Sequence, residues 1–180
     1  MKKVYFTLLF TIVILMRAKG QYNNYIRISG DIGIVTNSER DKKFGAGGTI
    51  AWLTVDNYVS STGNNFISLS IKGFNNPYGE GKLVSSILNN ADDGFNYIMP
   101  LVGYRITKIG FEDGLFFEPR IGAAFGGNYA AFAFAPLAGY SFQNIELSIF
   151  VDMGFGSKNS AIRKKNFVTP GVSIAYNLGM

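Results

Sequence analysis

At 180 residues the chain is long enough for one domain, and it contains neither cysteine nor histidine. Disulfides, thiol chemistry, the usual general base and metal ligand, and every Ser-His or Cys-His nucleophile pair are therefore excluded. The net charge of +5 is concentrated in Lys2, Lys3, Arg17 and Lys19; the rest carries 13 basic against 12 acidic residues, so a nucleic-acid-binding reading of the basic pI fails.

Residues 1–20 read as a cleavable signal peptide: a basic Met1-Lys2-Lys3, an apolar or hydroxyl run over Val4–Met16, and Ala18-Lys19-Gly20 before Gln21. That core is shorter than the roughly 20 residues a membrane-spanning helix needs. With no cysteine to acylate, a lipoprotein anchor is not expected. Residues 21–180 form the second predicted unit, and its pattern is that of strands.

The first strand, Tyr25–Thr36, alternates Ile26, Ile28, Ile32 and Ile34 with Arg27, Ser29, Asp31 and Gly33. Asn37–Lys43 is a charged loop. In the second strand, about Gly45–Val55, Ile50 and Trp52 compete with Leu53 and Val55 for the apolar face, so its register is open. Its Gly45-Ala46-Gly47-Gly48 lacks the Lys-Ser/Thr of a phosphate loop and reads as relief of crowding in a curved strand. Phe66–Phe74 sets Ile67, Leu69 and Ile71 against Ser68, Ser70 and Lys72. The connection Asn75–Gly94 is the longest, with room for a turn of helix at Leu83–Leu88.

The fourth strand, about Phe95–Thr107, places Ile98, Val102, Tyr104 and Ile106 opposite Gly103 and Arg105. After a turn at Lys108–Gly114, Leu115–Phe125 sets Leu115, Phe117 and Ile121 against Glu118, Arg120, Gly122 and Ala124. In the sixth strand Phe132, Phe134, Tyr140 and Phe142 oppose Ala131, Ala133, Ala135, Gly139 and Ser141. Gln143-Asn144 is a tight turn into Ile145–Phe155, whose odd positions are all large and apolar over the roughly 9–11 residues of a tilted membrane strand. Gly156–Asn166 is a basic loop, and Phe167–Leu178 is the eighth strand.

The expected fold is all-β, an eight-stranded antiparallel up-and-down transmembrane β-barrel behind a signal peptide. The polar face is mostly Gly, Ala and Ser, which suits a narrow interior, and the apolar face is large and nearly uncharged, which suits lipid. Phe116 and Phe150 fall on the inner face as plugs. A soluble lipocalin-like barrel binding an apolar ligand in the periplasm would reverse the two faces. Arg27, Asp31, Lys72, Arg105, Glu118, Arg120, Glu146 and Asp152 point inward, four basic and four acidic, so a buried ion-pair network is expected. Its bland role is a structural plug; the sharper one is an ion or proton path. Pro100 and Pro170 can sit near strand ends, whereas Pro119 and Pro136 call for bulges or register breaks.

With these elements the chain resembles the OmpA/OmpX-like outer-membrane β-barrel family. The most specific local match is Thr169-Pro170-Gly171-Val172-Ser173-Ile174-Ala175-Tyr176, which follows the C-terminal insertion signal of such barrels at Thr169, Gly171, Ile174 and Tyr176. The resemblance implies outer-membrane localisation in a Gram-negative-type cell, folding by the barrel-insertion machinery, and long loops facing outward; an OmpA-type peptidoglycan-binding domain after strand eight is not expected. A non-enzymatic monomer is expected, without cofactor or metal, acting in adhesion or envelope integrity. Arg163, Lys164 and Lys165 are candidate contacts to lipopolysaccharide phosphates, with a solvated loop as the plain alternative. A narrow channel or a lipid-modifying enzyme is a lesser expectation.

Overall fold

The computed structural model describes residues 24–36, 43–56, 65–75, 96–107, 113–126, 129–156 and 166–180. They form β1 (Asn24–Ile34), β2 (Phe44–Val55), β3 (Phe66–Asn75), β4 (Asn96–Thr107), β5 (Asp113–Glu118), β6 (Arg120–Gly126), β7 (Tyr129–Phe134), β8 (Leu137–Phe142), β9 (Ile145–Gly156) and β10 (Asn166–Gly179). All pairings are antiparallel, and β10 returns to pair with β1, closing the sheet. β5 with β6, and β7 with β8, each continue one strand across a proline, so the wall has eight strands. The expected signal peptide, the Asn37–Lys43 loop (save Lys43), the Leu83–Leu88 turn and the Arg163-Lys164-Lys165 cluster lie outside the described residues.

The two internal prolines behave differently from the expected bulge or register break. The regular strands are interrupted at Pro119 and at Ala135-Pro136, but the register does not shift across either point. Glu118↔Leu137 below and Ile121↔Phe134 above belong to one continuous register, which sets Pro119 opposite Pro136. The backbone of Pro119 faces the other way, its carbonyl accepting from Tyr104 N–H at 3.1 Å, and that of Pro136 accepts from Val151 N–H at 3.1 Å. The prolines therefore meet at a non-hydrogen-bonded position, where neither needs the N–H it lacks. Each instead leaves one carbonyl, of Tyr104 and of Val151, without its ladder donor.

Following the register from Asn24 through Thr54, Ile67, Tyr104, Pro119, Pro136, Val151 and Pro170 returns to β1 at Ile34, ten residues above the start. A closed eight-stranded sheet with such a stagger tilts its strands by about 35–45° and leaves an interior that side chains fill. Both termini of the wall, the Gln143-Asn144 turn and the connections at 57–64 and 108–112 share one end. The connections at 37–42, 76–95, 127–128 and 157–165 share the other. Gln143 takes a φ of 55°, the left-handed conformation that closes a two-residue hairpin.

The alternation assigns the faces as the sequence pattern predicts. Ile28, Ile71, Val102, Ile121, Ile149 and Ile174 stand on the outer wall, with Ile149 64% exposed. Aromatic side chains flank this aliphatic band: Phe44, Phe125, Phe132 and Phe155 toward the loop end, and Trp52, Tyr104, Phe117, Tyr140 and Phe142 toward the terminal end. Such paired girdles mark the two interfaces of a bilayer. On β2, Ile50 and Trp52 take the outer face while Thr49, Ala51 and Leu53 turn inward, which settles the open register. Leu53 is apolar yet inward because it packs with Ala51 and Phe66, against Tyr25 and Val55, near the terminal end of the lumen.

Candidate functional site

The eight predicted inward charges all lie in the lumen, and none is more than 3% exposed. Strand parity delivers them: on each strand they share a face with Ser, Gly and Ala, so their long side chains have room to meet at the axis. Nearer the terminal end, Glu146 accepts from Arg27 Nε at 2.8 Å, from Asn177 at 2.8 Å, from Ser141 at 3.3 Å and from the Arg105 guanidinium. Arg105 Nε also donates to Glu118 at 2.8 Å, and Ser68 donates to the same carboxylate at 2.8 Å. Two cations and two carboxylates thus neutralise one another, and Arg105 lies over the Phe116 ring at 4.2 Å.

Toward the loop end is a second group. Lys72 Nζ sits 2.8 Å from Asp152 and 3.3 Å from Asp31, with the Phe150 ring centroid 3.2 Å away. Asp31 further accepts from Ser29 at 3.0 Å, Thr49 at 2.8 Å and Ser173, and Asp152 accepts from Tyr97 Oη at 2.7 Å. One cation against two carboxylates leaves this group at −1.

Arg120 departs from the expected network. Among the described residues it has no carboxylate within ion-pair distance, and its Nε donates instead to the Ala135 carbonyl at 2.8 Å. Glu118, two residues before it on the same face, is already held by Arg105 and Ser68 from neighbouring strands. Arg120 balances the charge through space, in the field of Glu118, Asp152 and Asp31, and so neutralises the whole interior.

Apolar side chains close the lumen beyond both groups. At the loop end Phe74, Tyr97 and Phe167 stack in series, with ring centroids 5.1 and 5.0 Å apart, over Met99, Leu101 and Ala133. A Cβ at Gly45 would strike the Phe74 ring and one at Gly171 the Phe150 ring, so glycine at these points makes room for the plugs. At the terminal end Tyr25 meets Phe66 edge-on at 5.8 Å beside Leu53. Phe116 and Phe150 are inward as predicted and pack with Leu137.

The aromatic stack, the Tyr97 hydroxyl and the Ser/Thr donors to Asp31 were not singled out from the sequence; their strand parity was the available signal. The four residues expected to form an insertion signal share β10, with Thr169 buried inward, Ile174 outward on the wall, Tyr176 outward at the girdle, and Gly171 beside Phe150. A soluble ligand-binding barrel requires the reverse sidedness, an apolar interior and a charged wall. Among the described residues no group of His, Cys, Asp and Glu is arranged to hold a metal ion.

Comparison by sequence finds no matching family model and no matching curated protein. Comparison by structure finds Neisserial surface protein A, at TM-score 0.55 and 12% identity over 90% of this chain and 100% of that one. It also finds Ail, the attachment invasion locus protein of Yersinia pestis, solved in complex with the heparin analogue sucrose octasulfate, at TM-score 0.48 and 13% identity over 86% and 97% of the two chains. The wall closed by β1 and β10, its lipid-type outer face, its charged, plugged interior and this structural likeness lead to one conclusion: the chain has the fold of the OmpA/OmpX-like eight-stranded outer-membrane β-barrels.

Proposed function

We propose that the protein is an integral barrel of the outer membrane of a Gram-negative-type cell, secreted by its signal peptide and inserted by the barrel machinery through Thr169, Gly171, Ile174 and Tyr176. It acts without catalysis, as a surface-interaction or envelope-integrity protein whose working parts are the loops on the wall. The observation that carries this reading is the interior: eight charges at most 3% exposed, capped by apolar clusters at both ends. A conducting lumen leaves its charges accessible to water, so the ion network is read as a structural plug and not as a path. What remains for contact is the outer wall and the connections, chiefly Asn75–Gly94 and Gly156–Asn166, the latter carrying Arg163, Lys164 and Lys165.

The test is to replace these two loops with short Gly-Ser connectors in the producing cell. The expected result is loss of surface attachment, of lipopolysaccharide binding or of envelope integrity, while the unboiled protein keeps a gel mobility distinct from the boiled form. A loop-exchanged protein that folds, shifts on boiling and leaves all three properties unchanged rejects the loop-contact role.

A further inference from the structure

In the loop-end group both donors to Asp152 reach the same oxygen: Lys72 Nζ at 2.8 Å and Tyr97 Oη at 2.7 Å each meet Oδ2. Oδ1 of this fully buried carboxylate has no hydrogen-bond partner among the described residues. Directly opposite on β10 stands Thr169, also fully buried, and its Oγ1 is unpartnered as well. Opposed residues on one face of an antiparallel pair hold their Cβ atoms about 4.5–5.5 Å apart. Thr169 Oγ1 also lies near Tyr97 Oη, without a hydrogen bond of normal geometry. Three oxygens thus converge where β9 meets β10. The inward neighbours of Asp152 there are short: Ala135 lies across from it and Gly154 follows it on β9.

We propose that this is a binding site for one ordered water molecule, held by Asp152 Oδ1, Thr169 Oγ1 and Tyr97 Oη beneath the Phe74–Tyr97–Phe167 stack. The donor and acceptor inventory selects water. A carboxylate oxygen only accepts, so the occupant must donate to Asp152. Tyr97 gives its hydrogen to Oδ2 and offers the site a lone pair, while Thr169 offers a hydrogen. Water donates to the first two oxygens and accepts from the third, the three bonds typical of a buried water. A cation fits worse: the inward charges already sum to zero, and the Lys72 ammonium sits on the same carboxylate. An acceptor left unmade is costly in a buried site, and most of all on a charged group. The water ties β9 to β10 through side chains and is enclosed, so it opens no route to bulk solvent. The inference goes beyond the proposed function and holds whether or not the loops make surface contacts.

The test is crystallography of the full protein refolded in detergent, at a resolution that shows ordered waters. The samples are wild type, wild type soaked in rubidium chloride, and Thr169→Val, which keeps the shape of threonine and removes the hydroxyl. Refolding in vitro makes both proteins independent of the insertion machinery, and a gel shift on boiling checks that each has folded. The expected result in wild type is one density peak about 2.5–3.0 Å from Asp152 Oδ1, Thr169 Oγ1 and Tyr97 Oη, with no anomalous signal there after the soak. In Thr169→Val the peak is lost. A direct Thr169–Asp152 hydrogen bond with no peak in wild type overturns the site. So does an anomalous peak, which makes the occupant a cation, or a peak unchanged in Thr169→Val. If Thr169→Val does not fold, the two wild-type maps alone uphold or overturn the proposal.

Discussion

Replacing Glu146 by Gln tests whether the lumen is a dry plug. The carboxylate accepts from Arg27, Arg105, Asn177 and Ser141 and is fully buried. Glutamine keeps the shape and removes the charge, so the terminal-end group goes from neutral to +1. Arg105 retains Glu118, but among the described residues Arg27 has no second carboxylate within ion-pair distance and its Nη2 has no hydrogen-bond partner. Breaking a buried pair on one side costs about 3–5 kcal/mol, whereas a water-exposed pair is worth about 0–1 kcal/mol. Arg27→Met with Glu146→Gln restores neutrality and leaves the Arg105–Glu118 pair intact. The double variant is therefore expected to recover about 2 kcal/mol relative to the sum of the singles, within the roughly 0.5–3 kcal/mol seen inside one ion network. The assay is equilibrium urea unfolding in phospholipid vesicles, followed by fluorescence of Trp52, the chain's one tryptophan, which stands on the outer girdle. A Glu146→Gln effect below about 1 kcal/mol, with additive singles, would mean that water reaches the network, and the plug reading would be refuted.

Three further predictions follow from other parts of the wall and lumen. Ile149→Arg places a charge in the middle of the outer band and is expected to destabilise the inserted barrel by about 2–4 kcal/mol in the same vesicle assay; a neutral effect would argue against lipid contact there. Tyr97→Phe removes the donor to Asp152 and is expected to cost about 1–3 kcal/mol, while Tyr97→Ala opens the loop-end stack and should raise single-channel conductance in planar bilayers above that of wild type. Pro119→Ala returns a donor opposite the Tyr104 carbonyl; stability should rise by about 1 kcal/mol, and hydrogen exchange should show a protected amide at position 119. An unprotected amide there would mean that the strand is bent away from β4.

The parts of the fold visible in the sequence are those governed by alternation alone. The facing of β1, β3, β9 and β10 was legible because Ile, Leu and Val on one parity contrast with Ser, Gly and charged residues on the other. β2 was ambiguous because both its parities are apolar, for different reasons: Ile50 and Trp52 face the outer band, and Leu53 closes the lumen against Phe66. The inward charges were legible one by one, yet their pairing was not. Whether Arg120 reaches a carboxylate depends on which strands are neighbours and on Glu118 being occupied already, and neither is a local property. The prolines show the same limit. A proline in a closed sheet predicts a disturbed ladder, but the register that sets Pro119 against Pro136, and removes the need for a bulge, appears only once the strands are paired.

The central claim is the sidedness of the wall, and adjacent residues on β9 test it most directly. The chain has no native cysteine, so Ile149→Cys and Ser148→Cys are each clean single-cysteine proteins. Each is labelled with a small environment-sensitive fluorophore before refolding into vesicles that carry a quencher in mid-chain. The prediction is strong quenching at position 149 and little at position 148, whose side chain faces the lumen. Quenching at 148 and not at 149, or at neither, would contradict the account.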